Sequence, residues 1–461
     1  MRQNFFRKVG YGLGPNEPIP SDARKWAKEQ LSSIPAITWE GLVPTMKDGF
    51  DEHLQHVIRR REIREKYADD PDLQDQKGRE NYRIVDNAHE YNLQIRLHQA
   101  VVGEAPVFER LVAFWSNHFA IVEKDENQSF IVGPYQREII RKNLTGSFEN
   151  LVTDATTSWA MIVSLDNGES IPPGSKKGQQ RKKQGRTPTI NENHARELLE
   201  LHTVSPSAQF TQDDVIQLAY IMSGWKAKWT EKRKEFNPVF FDKNYHQPGK
   251  FTVLGKTYKQ RGLSSEAKLL DVLKDLSANP HTHEFLAYKL CRYFICDKPS
   301  NDMIGPIVKT WGETDGDLPS IHRTLMDVVY RYSGVESKIT TPETWFAQML
   351  RMGGTTEVSK LELRWLYEDL GHNPFMPIQP NGWPDTELEW LSPELLIRRI
   401  AYAKHISANI RKFGLERKLN VGDMLDKNFG NADEIKQWLG EFKFQRAALS
   451  QIFASKWMIY S

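Results

Sequence analysis

Apolar residues recur along most of this chain at the three-to-four-residue interval of one helix face. Leu93, Leu97 and Val101 stand four apart, and Phe108, Leu111, Val112 and Trp115 follow at i, i+3, i+4 and i+7. Leu269–Leu276 keeps the same rhythm. So does Phe285–Phe294, which places Phe285, Leu286, the stem of Lys289, Leu290 and Tyr293 on the inner side. Ser392-Pro393-Glu394 opens another helix, running from Leu395 to Ile406, with serine as N-cap and proline in the first turn. Period-two alternation is rare. Val239-Phe240-Phe241 and Phe251–Leu254, joined through Tyr245-His246-Gln247-Pro248-Gly249, predict a hairpin or irregular β excursion at 239–254. The pattern as a whole predicts a mainly α fold, a large helical unit with that one small β excursion.

Two stretches interrupt the rhythm. Residues 171–188 combine Pro and Gly with Lys176, Lys177, Arg181, Lys182, Lys183 and Arg186 and have almost nothing to bury, which predicts an exposed, mobile loop. Residues 371–384 are rich in Pro and Gly and predict a surface excursion. With no internal repeat and no clean linker, the chain reads as one helical unit over residues 1–461.

Composition narrows the function classes. Hydrophobic residues make up 39% and charged residues 26%, so a sizeable core can form. A net charge of +2 gives no bulk attraction to polyanions, and no DNA partner is indicated. The two cysteines, Cys291 and Cys296, exclude a disulfide framework and a cysteine-rich zinc site. No run of about 18 apolar residues predicts a membrane span. The basic start has no apolar stretch behind it, so a cytoplasmic location is the expectation.

The densest polar signal is Asn191-Glu-Asn-His-Ala-Arg-Glu-Leu-Leu-Glu-Leu-His-Thr203. On a helix, Asn193, Glu197 and Glu200 share one face, Glu192, Arg196 and Glu200 form a ladder beside it, and Ala195, Leu198, Leu199 and His202 make the apolar side. A solvent-facing ladder with a core histidine would produce this pattern. So would a polar face turned toward a ligand or a divalent metal ion, since carboxylates and imidazoles suit such an ion. Phe114-Trp-Ser-Asn-His-Phe119 ends an aromatic helix with a polar pair, and His246 lies on a turn. In the ligand reading Glu197 and Glu200 act as general base or ligands and Arg196 orients them. Asn191, Glu192 and Asn193 then hold substrate, and His118, His202 and His246 hold a metal. Gly10-x-Gly12-x-Gly14 lacks the strand and helix of a nucleotide loop. His-Glu-x-x-His, Gly-x-Ser-x-Gly and Walker motifs are absent.

The Asn191–Thr203 segment closely resembles the signature of a bacterial family catalogued as domain of unknown function 1800. The resemblance runs through Phe6–Pro15, Phe114–Phe119, Phe210–Val215, Ser223-Gly-Trp225 and His246–Gly255. It continues through Pro280–Phe294, Leu370-Gly371, Gly382-Trp-Pro384 and Ala454-Ser-Lys-Trp-Met. Four positions depart from the family pattern: His194 replaces an aromatic or aliphatic residue, Gln247 an Asp, Asn279 a His, and Asp385 the commoner Gly. The resemblance implies little chemistry. Family members are often exported, and their genes lie beside those of a sulfatase-like family, which suggests such a protein as partner. Two readings stay open. One is an enzyme with a Glu/His pocket, a metal-assisted hydrolase or an oxidoreductase. The other is a non-catalytic helical scaffold that binds a partner protein or an envelope component.

Overall fold

Several helix starts in this chain are fixed by a polar cap followed by proline, which has no backbone N–H to leave unpaired. The computed structural model describes residues 3–122, 127–227, 239–259, 266–440 and 445–461. In it Asp70 accepts from Leu73 N to begin helix Pro71–Val101, and Asn279 accepts from His281 N to begin Pro280–Phe294. Thr341 caps Pro342–Met352 and Ser392 caps Pro393–Ala408 in the same way. Pro106 opens Pro106–His118, a helix buried on almost every side. Helix accounts for 61% of the structure, beside two small two-stranded sheets.

One apolar cluster runs from Phe5 to Met458, with Trp115, Trp311 and Trp345 fully enclosed. Buried guanidinium groups stitch its distant parts together. Arg7 donates to Tyr460 O (2.8 Å) and Met458 O (3.2 Å). Arg351 donates to Val101 O (2.9 Å), Gly103 O (3.0 Å) and Gly12 O (3.0 Å). Charged donors make stronger hydrogen bonds than neutral ones, so each ties together segments hundreds of residues apart.

Three local expectations need correcting. Val239–Phe241 and Phe251–Val253 do not pair with each other. Val239–Phe241 pairs with Trp225–Ala227, and Phe251–Val253 with Lys256–Tyr258. The second pairing closes through Leu254 (φ 47°) and Gly255 (φ 76°), the left-handed geometry of a tight hairpin, with Leu254 N held by Asp214 Oδ1 at 2.8 Å. The basic stretch is not an unstructured loop. Ser175 caps a helix over Lys176–Lys183, the Ile171–Thr189 bridge closes its base, and Gln247 Oε1 accepts from Gly174 N at 2.8 Å. Nor does 371–384 simply ride on the surface. His372, Asn373 and Phe375 are buried, and Trp383 is clamped by Asn117, which accepts from Trp383 N and donates to Trp383 O, both at 2.8 Å.

That clamp needs Gly382, whose φ is 77° and where an added Cβ would run into the carbonyl oxygen of Asn117. Gly382→Ala should therefore cost at least ~3 kcal/mol. Gly255→Ala, with a similar φ but open space around it, should cost ~1 kcal/mol from backbone strain alone. Denaturant melts of the two variants check this, and equal losses would show that the clamp is not tight.

Candidate functional site

Arg96, late in helix Pro71–Val101, meets Glu343 in the first turn of helix Pro342–Met352, where the helix dipole favours a carboxylate. The contact is bidentate, Nε to Oε1 at 2.5 Å and Nη2 to Oε2 at 3.0 Å. The side chains are only 10% and 13% exposed. Burial works against the Glu343 charge, but Arg96 outweighs it and holds the carboxyl below its usual range. Behind it, Arg110 stacks 4.6 Å over Tyr293, and Arg141 bonds Glu109 at 2.5 Å. At Glu109 burial wins, and the carboxyl is pushed up despite Arg141.

A narrow hollow lies on either side of the Arg96–Glu343 pair, each of about 20 Å³, enough for about one water. The first is lined by Tyr11, Gln99, Glu109, Gln136, Arg137 and Arg141. The second is lined by Asn117, Tyr293, Thr341, His372, Trp383 and Asp385. His372 packs edge-on between Trp383 (5.0 Å) and Trp390 (5.2 Å). Its Nδ1 accepts from Glu343 N at 3.3 Å, and burial lowers its pKa to about 4. Asp385 pairs with Arg292 Nε at 2.8 Å.

Near the second hollow, Lys289 Nζ lies 3.0 Å from His118 Nδ1, while His118 Nε2 lies 3.2 Å from His202 O. A carbonyl only accepts, so Nε2 carries the hydrogen and Nδ1 accepts a hydrogen bond from Lys289 Nζ. His118 is thereby held neutral, well below its ordinary pKa, by burial and then by Lys289. Burial brings Lys289 down to about 8, with Asp385 opposing. A lysine in that range can exchange a proton near neutral pH.

The structure brings together some of the residues singled out in the sequence and separates others. His118 and His202 meet, ring centres 5.9 Å apart, with Phe119 beside His202 at 5.2 Å. His202 and His194 are both 1% exposed. The segment is helical over Asn193–Glu197 and then widens to a π-helix over Leu198–His202. His246 is elsewhere, its Nδ1 2.6 Å from Ser223 O and its ring against Phe241. The expected metal set of His118, His202 and His246 is therefore not assembled. Among the described residues no group of three or more His, Cys, Asp or Glu is placed to hold a metal ion.

The polar face of the signature turns outward instead. Glu192 and Arg196 pair at 2.8 Å, and Gln212 closes the triangle at 2.6 Å and 2.7 Å. Asn191, Glu192, Asn193 and Arg196 border an open depression of about 400 Å³ with Glu169. Glu197 and Glu200 are part-exposed, and partial burial and then Glu200 raise the Glu197 carboxyl. No hydrogen bond or ion pair among the described residues joins either acid to the three histidines. Sequence reasoning missed Arg96, Glu109, Arg141, Glu343, His372 and Lys289 as a group. The readable signals were Thr341-Pro342-Glu343, a cap with an acid in the first turn, and a lysine on the inner face of its helix.

The family described as "Protein of unknown function (DUF1800)" matches residues 4–455, nearly the whole chain. The chain belongs to that family. No curated protein and no solved structure matches it. Within that match, the stretches Phe114–Phe119, Pro280–Phe294 and Gly382–Pro384 supply Asn117, Tyr293, Trp383 and Pro384 to the second hollow. Two residues singled out in the sequence have visible surroundings. Asp385 pairs with Arg292, and the buried His194 imidazole has no hydrogen-bond partner among the described residues.

Burial lowers His194, His202 and His322 to about 3. Each is neutral when folded and gains a proton near pH 6.5 when unfolded, so the unfolded state binds more protons below that pH. Stability should therefore be complete above pH 6.5 and fall as pH drops from 6.5 toward 3. Each histidine contributes a slope of up to ~1.4 kcal/mol per pH unit. His194→Leu should remove one histidine's share of the slope, as read from denaturant midpoints at several pH values. An unchanged slope would place His194 in contact with solvent.

Proposed function

We propose that this chain is an enzyme whose chemistry takes place beside the hollow beneath Trp383, with Lys289 as the proton-transferring group and the hollow itself holding one water-sized reactant. The observation that carries this reading is a linked set of groups: His372 and Asp385 line that hollow beside the Arg96–Glu343 pair, Arg292 pairs with Asp385, and Lys289, bonded to His118, lies within the field of Asp385. These groups come from five separate helices and loops, and such clusters of shifted titratable groups gather at functional sites more than elsewhere. Their roles divide by chemistry. His118, fixed as a neutral acceptor, accepts a hydrogen bond from Lys289 Nζ and orients it. Asn117 and the Trp383 backbone set the roof. His372, neutral at working pH, can offer a hydrogen bond without bringing a charge. Glu343 stays ionised and anchors Arg96.

A second reading has its own support. Each hollow admits about one water, and Asn117 and Trp383 form a strut between helix and loop. Those features suit a rigid scaffold. Its partner, a sulfatase-like protein by the family's gene neighbourhood, or an envelope component, would meet the basic Lys176–Lys183 helix.

Amine labelling separates the two. In the enzyme reading, a small acylating reagent applied to the native protein modifies Lys289 early, with a pH midpoint near 8, and Lys289→Met keeps the melting temperature within a few degrees. Labelling of Lys289 that begins only above pH 10, as for an ordinary lysine, or no native-state labelling at all, would remove the proton-transfer role and leave the scaffold.

A further inference from the structure

The hollow on the other side of the Arg96–Glu343 pair has a different character, and the function proposed above does not use it. It is walled by Arg96, Arg137 and Arg141 against Glu109 and Glu343. Those three arginines and two glutamates leave one positive charge. Widening the circle does not cancel it. Arg110, within the field of Glu343, adds a positive charge, and Glu138, within the field of Arg137, adds a negative one. Glu138 in any case turns an oxygen toward Met46 N at 2.9 Å.

The hydrogen-bond inventory points the same way. Arg96 uses Nε and Nη2 on Glu343, and its Nη1 is buried with no acceptor among the described residues. Arg141 gives Nη2 to Glu109, and its Nε has no acceptor. Arg137 gives Nη2 to Pro44 O at 2.7 Å, and its Nε has none. Three guanidinium groups around one hollow thus each keep one buried N–H without an acceptor among the described residues. Unpaired buried donors are rare in folded proteins, and an uncompensated buried charge is worse than an unpaired neutral group. Gln99 and Gln136 add amide groups to the same wall, and Tyr11 adds a phenol that burial keeps protonated.

From this geometry we infer a binding site for one small monovalent anion of halide size, enclosed by Arg96, Arg137 and Arg141. The size follows from the hollow, about 20 Å³, which holds one water-sized body and excludes a phosphate or a larger carboxylate. The charge class follows from the single surplus positive charge. The anion would neutralise the back of the cluster and so set the charge that Arg96 presents to Glu343.

The test uses the full chain. Crystals soaked in bromide should show an anomalous peak inside this hollow, within hydrogen-bond distance of arginine nitrogens. In solution, chloride at fixed ionic strength should raise the melting temperature by about 2 °C over gluconate, which is too large to enter. Arg137→Gln, at a part-exposed arginine, should abolish that difference. Bromide found only at the surface overturns the inference whatever the melts show, and so does a chloride effect that persists in Arg137→Gln. If Arg137→Gln does not fold, the bromide map of the unaltered protein decides alone.

Discussion

The buried pair Arg96–Glu343 is the constraint on which the rest of the structure depends. It joins the long Pro71–Val101 helix to Pro342–Met352 in the interior and stands as the wall between the two hollows. Taking two charges out of water costs several kcal/mol for each, and mutual attraction offsets this only when the geometry is good and the remaining polar atoms are satisfied. The bidentate contact supplies the geometry. The backbone N–H of Glu343 reaches His372, which extends the network to the Trp383 roof. Loss of either charge would leave the other stranded, so the surrounding helices are held in one register.

Chemistry and architecture share this network. The proposed proton-transferring lysine bonds a buried histidine packed among aromatic rings, and the low polarity around that ring strengthens the contact. Phe114, Trp115 and Phe119 ring His118, and Asn117, the residue before it, clamps Trp383. A change in the roof would therefore reach the histidine through one residue of backbone. The surplus positive charge at the back of the pair acts on Glu343 from the opposite side, so each hollow influences the other through the pair that divides them.

The helices were legible because apolar periodicity and capping are local. Ser392-Pro393 starts its helix where the pattern predicts, and Ala195, Leu198, Leu199 and His202 lie on the buried side as their spacing requires. The partners of strands were not legible. Val239–Phe241 pairs backward to Trp225, and the Leu254-Gly255 turn lacks the usual Asn-Gly signature. The charge cluster was hidden for a different reason. Arg96 and Glu343 are 247 positions apart, and each looks locally like an ordinary polar residue of an amphipathic helix. The conspicuous Asn191–His202 segment drew attention to Glu197 and Glu200, whereas its buried face carries the link to His118. Composition also gave no hint that the basic stretch would cap itself with Ser175 and fold into a helix.

A double-mutant cycle on Arg96 and Glu343, followed by denaturant unfolding, tests the central claim most directly. Glu343→Gln alone should cost about 3–5 kcal/mol, because it strands a buried guanidinium. Arg96→Met alone should be similarly harmful, and the double variant should recover most of the loss, giving a coupling of at least ~2 kcal/mol. Single losses below ~1 kcal/mol that simply add would contradict the account, since the pair would then be ordinary surface electrostatics and could not hold the cluster together.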